Sequence, residues 1–191
     1  DADGIAGNRT LGVAMSLGFK LLNDQVLDYY GPNWPPKPNF PPLVKTVDRQ
    51  QIFGKFAYKP IGNGNIKITD DWENKNIIKV EIPQLIKVRK KLKNQHDKAL
   101  IPSDGKILFH RLAAKQLTDL WDSWEKADIL DLVINYAGSF VPRFVRGSKA
   151  TLSNHAFGTA IDINAAWNML GSIPAYCGEQ GSARKLVPLA N

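Results

Sequence analysis

The apolar residues of this chain recur with changing periods, and each period predicts a different element. Between Arg111 and Asp128, Ala113, Leu117, Leu120, Trp121, Trp124 and Ala127 return mostly at steps of three and four. One helix face has that spacing, so the stretch predicts an amphipathic helix with both tryptophans turned to a core. From Gln51 to Ile82 the pattern is that of short strands. Phe53, Phe56 and Tyr58 lead to a turn at Gly62-Asn63-Gly64-Asn65, Ile66 and Ile68 alternate with polar residues, and Ile77, Ile78, Val80 and Ile82 form a β-branched run ended by Pro83. Lys106–Phe109 reads as a short strand and Leu130–Tyr136 as a buried one. A long loop from Gly138 to Ser148 follows.

The amino-terminal part has other patterns. Leu11, Met15, Leu17, Phe19, Leu21, Leu22, Val26 and Leu27 are spaced as in a helix interrupted by Gly18. Residues 31–42 then hold six prolines in twelve positions, which excludes helix and central strand. With Trp34 and Phe40 beside the prolines, this segment reads as an extended strap. The expected organisation is a helical segment over 1–31, a strap or linker over 32–50 and a main domain over 51–191. At the far end, Ala165–Leu170 suggests a helical turn, Gly171–Gly181 a loop and Ser182–Ala190 the start of a helix.

Composition narrows the classes. With 191 residues and 43% hydrophobic positions, the chain suits one ordinary domain and an appendage. No apolar run of about 18 residues occurs, so no membrane span is expected. The 25 Lys+Arg exceed the 18 Asp+Glu, giving +7 and favouring anionic partners such as a wall polymer, acidic lipid or nucleic acid. Lys87, Arg89, Lys90, Lys91, Lys93 and Lys98 crowd together, and the run reads as a solvated loop. No aromatics interleave with it, so no nucleic-acid platform is expected. Cys177 is the one cysteine, which excludes an internal disulfide and a cysteine-rich zinc module.

The candidate chemistry lies in Ser153-Asn154-His155-Ala156-Phe157-Gly158-Thr159-Ala160-Ile161-Asp162-Ile163-Asn164. If 158–163 is a strand, Thr159, Ile161 and Ile163 face the core, while Ala160, Asp162 and Asn164 face a cleft. A bend at Gly158 then brings the His155 imidazole towards the Asp162 carboxylate. As a bare pair, His and Asp seven positions apart serve equally as a hydrogen-bonded structural pair or as two zinc ligands.

The segment resembles the S-x-H-x-x-G-x-A-x-D motif of the zinc peptidases that cut peptidoglycan stem peptides. These are the VanY-type D-alanyl-D-alanine carboxypeptidases and the phage L-alanyl-D-glutamate endopeptidases. Every fixed position of the motif is filled, and the resemblance extends from about Trp34 to the end. It implies an α+β fold with a small, mainly antiparallel sheet and flanking helices, shared with Hedgehog-like domains. It implies Zn²⁺ held by His155 and Asp162, with Ser153 ordering the ligand loop and bordering the substrate. It also implies an upstream basic residue for substrate carboxylate or oxyanion, a role open to Arg143 or Arg146 and favouring Arg143. Asp3-Gly4-Ile5-Ala6-Gly7-Asn8-Arg9-Thr10 resembles, in turn, a signature of helical peptidoglycan-binding modules.

The resemblance also implies a third ligand, a C-terminal His, with an acidic general base just before it. No His follows His155, so on this reading the chain is C-terminally incomplete. His110 reads as a packed histidine at a helix start and His96 as an exposed one. Cys177 and Glu179 remain as weak substitutes. The expected function is hydrolysis of stem-peptide bonds outside the cytoplasmic membrane, by a bacterial enzyme or a phage endolysin. The alternatives are a wall-binding module without catalysis and, last, a nucleic-acid-binding protein using the lysine run.

Overall fold

The computed structural model describes residues 43–176 and 178–190. The expected helical segment over 1–31, the proline-rich run and Cys177 therefore lie outside the described residues. The remainder is an α+β arrangement of short helices around three two-stranded antiparallel sheets.

Helix α1 (Thr46–Phe53) begins the described chain and spans the expected boundary at residue 50. It ends at Gly54, whose φ of 86° suits glycine, and where a Cβ would lie 2.9 Å from the Trp72 indole nitrogen. Strands β1 (Tyr58–Gly62) and β2 (Asn65–Ile68) form the expected hairpin, with Tyr58 opposite Ile68 and Lys59 opposite Lys67. Asn63 and Gly64 both adopt positive φ at its tip, the conformation that an Asn-Gly pair supplies cheaply.

Helix α2 (Trp72–Asn76) leads into β3 (Ile77–Glu81), which pairs with β4 (Lys106–His110). Between them lie α3 (Pro83–Lys91) and α4 (Gln95–Leu100). The lysine run is thus largely helical, not a loop. Pro83 occupies the first turn of α3, where its missing N–H costs nothing, and Leu85 and Val88 are buried. Lys87 and Lys91 reach Glu125 and Asp131, and Arg89 Nε donates to Lys98 O. The charge pattern that suggested a loop is the outer face of a half-buried helix.

Helix α5 (Ala114–Lys126) is the expected amphipathic helix, and Trp121 and Trp124 are buried in the core. They pack with Leu85, Ile107, Phe109 and Tyr136 in the larger apolar cluster. A second, aromatic cluster holds Phe56, Trp72, Phe144, Leu152 and Phe157.

Residues 130–136 do not form the expected strand. Leu130–Leu132 is a 3-10 turn, and β5 is the short Tyr136–Gly138. The reason lies in Asn164, which is fully buried instead of facing a cleft. Its Oδ1 accepts from the N–H groups of Ile134 and Asn135, and its Nδ2 donates to Leu132 O. One side chain satisfies the backbone groups that a neighbouring strand would otherwise take.

The expected strand over 158–163 shrinks to β6 (Asp162–Ile163), paired with β5. Ser182–Ala190 forms turns ending in the 3-10 segment Val187–Ala190 rather than a regular helix. The motif crosses between the two clusters. Leu152, Ala156 and Phe157 belong to the aromatic one, whereas Ile161 and Ile163 pack on the larger one.

Candidate metal centre

His155 lies in a 3-10 turn, Asn154–Phe157, whose N-cap is Ser153. The Ser153 hydroxyl accepts from His155 N at 3.3 Å, which gives Ser153 its ordering role at the start of the turn. The turn closes on Gly158 in the left-handed region, and Gly158 O accepts from His110 N at 2.7 Å. This anchors the loop to the end of β4.

The His155 ring is buried, and its Nδ1 lies 2.6 Å from Ser139 O. A carbonyl oxygen only accepts, so Nδ1 carries the proton. Nε2 is 3.3 Å from Asp162 Oδ2; it offers a lone pair to a metal in the neutral ring and donates its N–H to that carboxylate in the imidazolium. Asp162 is brought there by the register of β6, where it stands opposite Gly138, one residue before Ser139. The β5 exit therefore positions both groups: Gly138 through backbone pairing and Ser139 through its carbonyl.

The separation is informative. A charge-assisted N–H to carboxylate hydrogen bond is typically about 2.7–2.9 Å long. Two ligand atoms, each about 2.0–2.1 Å from a tetrahedral zinc, stand roughly 3.3 Å apart. The pair fits two adjacent corners of such a site. Its Nδ1–H bound to a backbone carbonyl is the arrangement that fixes the ring of a metal-ligating histidine.

The Asp162 side chain is 47% exposed, on the cleft side. The contact with the His155 ring, first of all, holds its carboxyl below the usual carboxylate range. Partial burial opposes this, and the charges of His155, Arg143 and Arg146 reinforce it.

The cleft, of about 640 Å³, is lined by Arg49, Arg143, Arg146, Ser153, His155 and Asp162, with Met169 and Leu170 at its edge. Arg143 pairs with Asn65 through an isolated β-bridge and is half-buried, with Nη1 donating to Phe144 O at 3.3 Å. Arg146 is exposed. Neither arginine pairs with an acid among the described residues. The structure thus brings together all five residues singled out in the sequence.

It does not bring a third ligand. Among the described residues no group of three or more His, Cys, Asp and Glu is placed to hold a metal. His110 is fully buried beside Phe53 and Trp72, with Nε2 3.2 Å from Phe53 O and Nδ1 accepting from Leu112 N. His96 is exposed on α4, and Glu179 accepts from Tyr176 N at 2.8 Å, outside the residues that line this cleft.

Arg49 is the cleft residue that sequence reasoning missed. Its surroundings in sequence, Thr46-Val47-Asp48-Arg49, carry no motif, and only the fold draws it under the ligand loop. Comparison with protein-family models, with curated proteins and with solved structures finds no match for this chain.

Proposed function

We propose that this protein is a zinc-dependent peptidase that hydrolyses bonds in peptidoglycan stem peptides, as a carboxypeptidase or an endopeptidase. The observation that carries the reading is the His155–Asp162 pair. Nε2 and Oδ2 converge at a ligand-edge distance, within a filled S-x-H-x-x-G-x-A-x-D motif, with the imidazole tautomer set by Ser139 O. The α+β arrangement with small antiparallel sheets is compatible with the VanY-type fold the motif suggests.

His155 and Asp162 would hold the ion. A zinc ion there would supply Lewis acidity towards a peptide carbonyl and activate water for attack. The residues contribute the remainder. Ser153 fixes the turn that carries His155. Arg143, half-buried and unpaired by any described acid, would bind a substrate carboxylate or steady the negative charge that develops on the attacked carbonyl. Arg146 adds positive potential at the rim. The +7 net charge suits an anionic wall, and the site of action would be outside the cytoplasmic membrane.

A second reading, a wall-binding module without catalysis, is favoured by one observation: the described residues supply only two convergent metal-ligating groups. Zinc analysis and peptide cleavage separate the readings. In the full-length protein the peptidase retains one zinc per chain and releases either D-alanine or the fragments of an L-alanyl-D-glutamate cut, and His155→Ala abolishes both properties. Peptidoglycan binding with no retained zinc and no cleavage would establish the module instead.

A further inference from the structure

Arg49 reaches the cleft from α1, and its environment is unusual for a cation. It is only 5% exposed. Among the described residues its one side-chain hydrogen bond runs from Nη1 to Leu152 O at 2.9 Å, and its Nε is buried without a partner. No described carboxylate pairs with it; its sequence neighbour Asp48 acts on it only through charge, at a distance. A guanidinium has five N–H donors in a planar fork, and buried charges in folded proteins are ordinarily paired. Here the fork is held at the wall of a cleft and most of its capacity is unused.

The side chain is also rigidly placed. Leu152 N donates to Thr46 Oγ1 at 2.9 Å, so α1 grips both backbone groups of Leu152, the residue before Ser153. Arg49 therefore moves with the His155 turn. The cleft it lines carries Arg143 and Arg146 as well, against the carboxylate of Asp162. Three guanidiniums and one carboxylate leave an excess of positive charge that no described acid neutralises.

We propose that Arg49 is an anion-binding residue of the cleft, receiving a carboxylate of the bound ligand through its free N–H groups. The choice of ligand carboxylate rests on the peptidase reading; the anion site does not. Arg143 then remains available for the reacting carbonyl. The buried arginine sets the requirement for a carboxylate near the bond to be cut.

The test uses metal-free protein and three probes: sulfate, D-alanyl-D-alanine, and the same dipeptide with an amidated C terminus. Binding is read by calorimetry and by the shift in Tm for wild type, Arg49→Met and Arg49→Lys. The wild type is expected to bind the free dipeptide at least about tenfold more tightly than the amide. Arg49→Met is expected to erase that preference and the sulfate-induced rise in Tm. Arg49→Lys, which keeps the charge and loses the fork, should retain part of both and covers the case in which the methionine variant fails to fold. Undiminished discrimination in either folded variant overturns the proposal, as does a wild type that none of the anions stabilises. Arg49-dependent sulfate binding without dipeptide binding would leave the anion site standing and count against the carboxypeptidase form of the peptidase reading.

Discussion

Asn164 and Asn135 bind each other through both backbone and side chain. Asn164 N donates to Asn135 O at 2.8 Å, Asn135 N donates to Asn164 Oδ1 at 3.1 Å, and Asn135 Oδ1 accepts from Ala165 N at 3.0 Å. The pair joins the β5 approach to the residue two places beyond Asp162, so one buried amide supports the candidate ligand. Asn164 adopts φ 51°, a left-handed conformation that asparagine tolerates better than most residues. Replacing it with alanine leaves the N–H groups of Ile134 and Asn135 and the Leu132 carbonyl without partners. Asn164→Ala should cost about 3 kcal/mol, since each abandoned buried group costs roughly 1–3 kcal/mol and some will find water. Urea denaturation measures this. A loss below about 1 kcal/mol would mean that the amide is not the organising contact.

Asp162 gives the protein an acid-side pH dependence. Its carboxyl is held below the usual range, chiefly by the His155 ring, so the folded state keeps it ionised to lower pH than the unfolded chain does. The resulting stabilisation is present above the unfolded value of about 3.9 and disappears as pH falls through the lower, folded value. Asp162→Asn should therefore reduce the steepness of stability loss below about pH 4 while leaving the profile near pH 7 parallel to wild type. The side chain is half in solvent, so the difference should be modest. Urea midpoints collected across pH 3–5 provide the comparison, and identical slopes in the two proteins would contradict the assignment.

Much of this architecture is legible in the sequence where periodicity is strong. Trp121 and Trp124 fall on the core stripe of α5, and Asn63-Gly64 makes the hairpin turn. The motif residues meet because Gly158 bends the chain as expected. Other features depend on contacts far along the chain. The lysine run hides α3 because its polar face dominates the composition, while Leu85 and Val88 supply its buried one. The 130–136 segment has strand composition, yet Asn164, about thirty residues later, takes its backbone groups. Arg49 and Leu152 are 103 positions apart, and no local pattern links them. The role of Ser139 is played by its carbonyl, which a side-chain pattern cannot reveal.

His110 predicts a second pH effect, of a different kind. It is fully buried, and desolvation holds its pKa below the ordinary imidazole value, with the Phe53 carbonyl opposing and Arg111 assisting. Above the unfolded value of about 6.5 both states are neutral and stability is complete. As pH falls below that value, the unfolded chain takes up a proton that the folded ring resists, and stability declines until the folded value is passed. Folding free energies at pH 8 and pH 5 should differ by more in wild type than in His110→Gln. An equal difference would show that the ring does not titrate separately from the rest of the protein.

Gly158 is the position where the motif is least able to accept a side chain. Its φ is 65°, which disfavours L-residues. A Cβ there would also lie 2.7 Å from Ile77 Cδ1 and 3.1 Å from the backbone nitrogen of His110. The isoleucine methyl can rotate away, but the His110 nitrogen is fixed by its bond to Gly158 O. Gly158→Ala should therefore destabilise the fold by about 2 kcal/mol or more, combining left-handed strain with overpacking. Because His155 and Asp162 flank the glycine on opposite sides, the shift that relieves the clash must also alter their 3.3 Å approach. On the proposed zinc reading, zinc affinity and stability should fall together in this variant. A folded Gly158→Ala protein that keeps wild-type zinc affinity would show that the bend is not what holds the two groups in register.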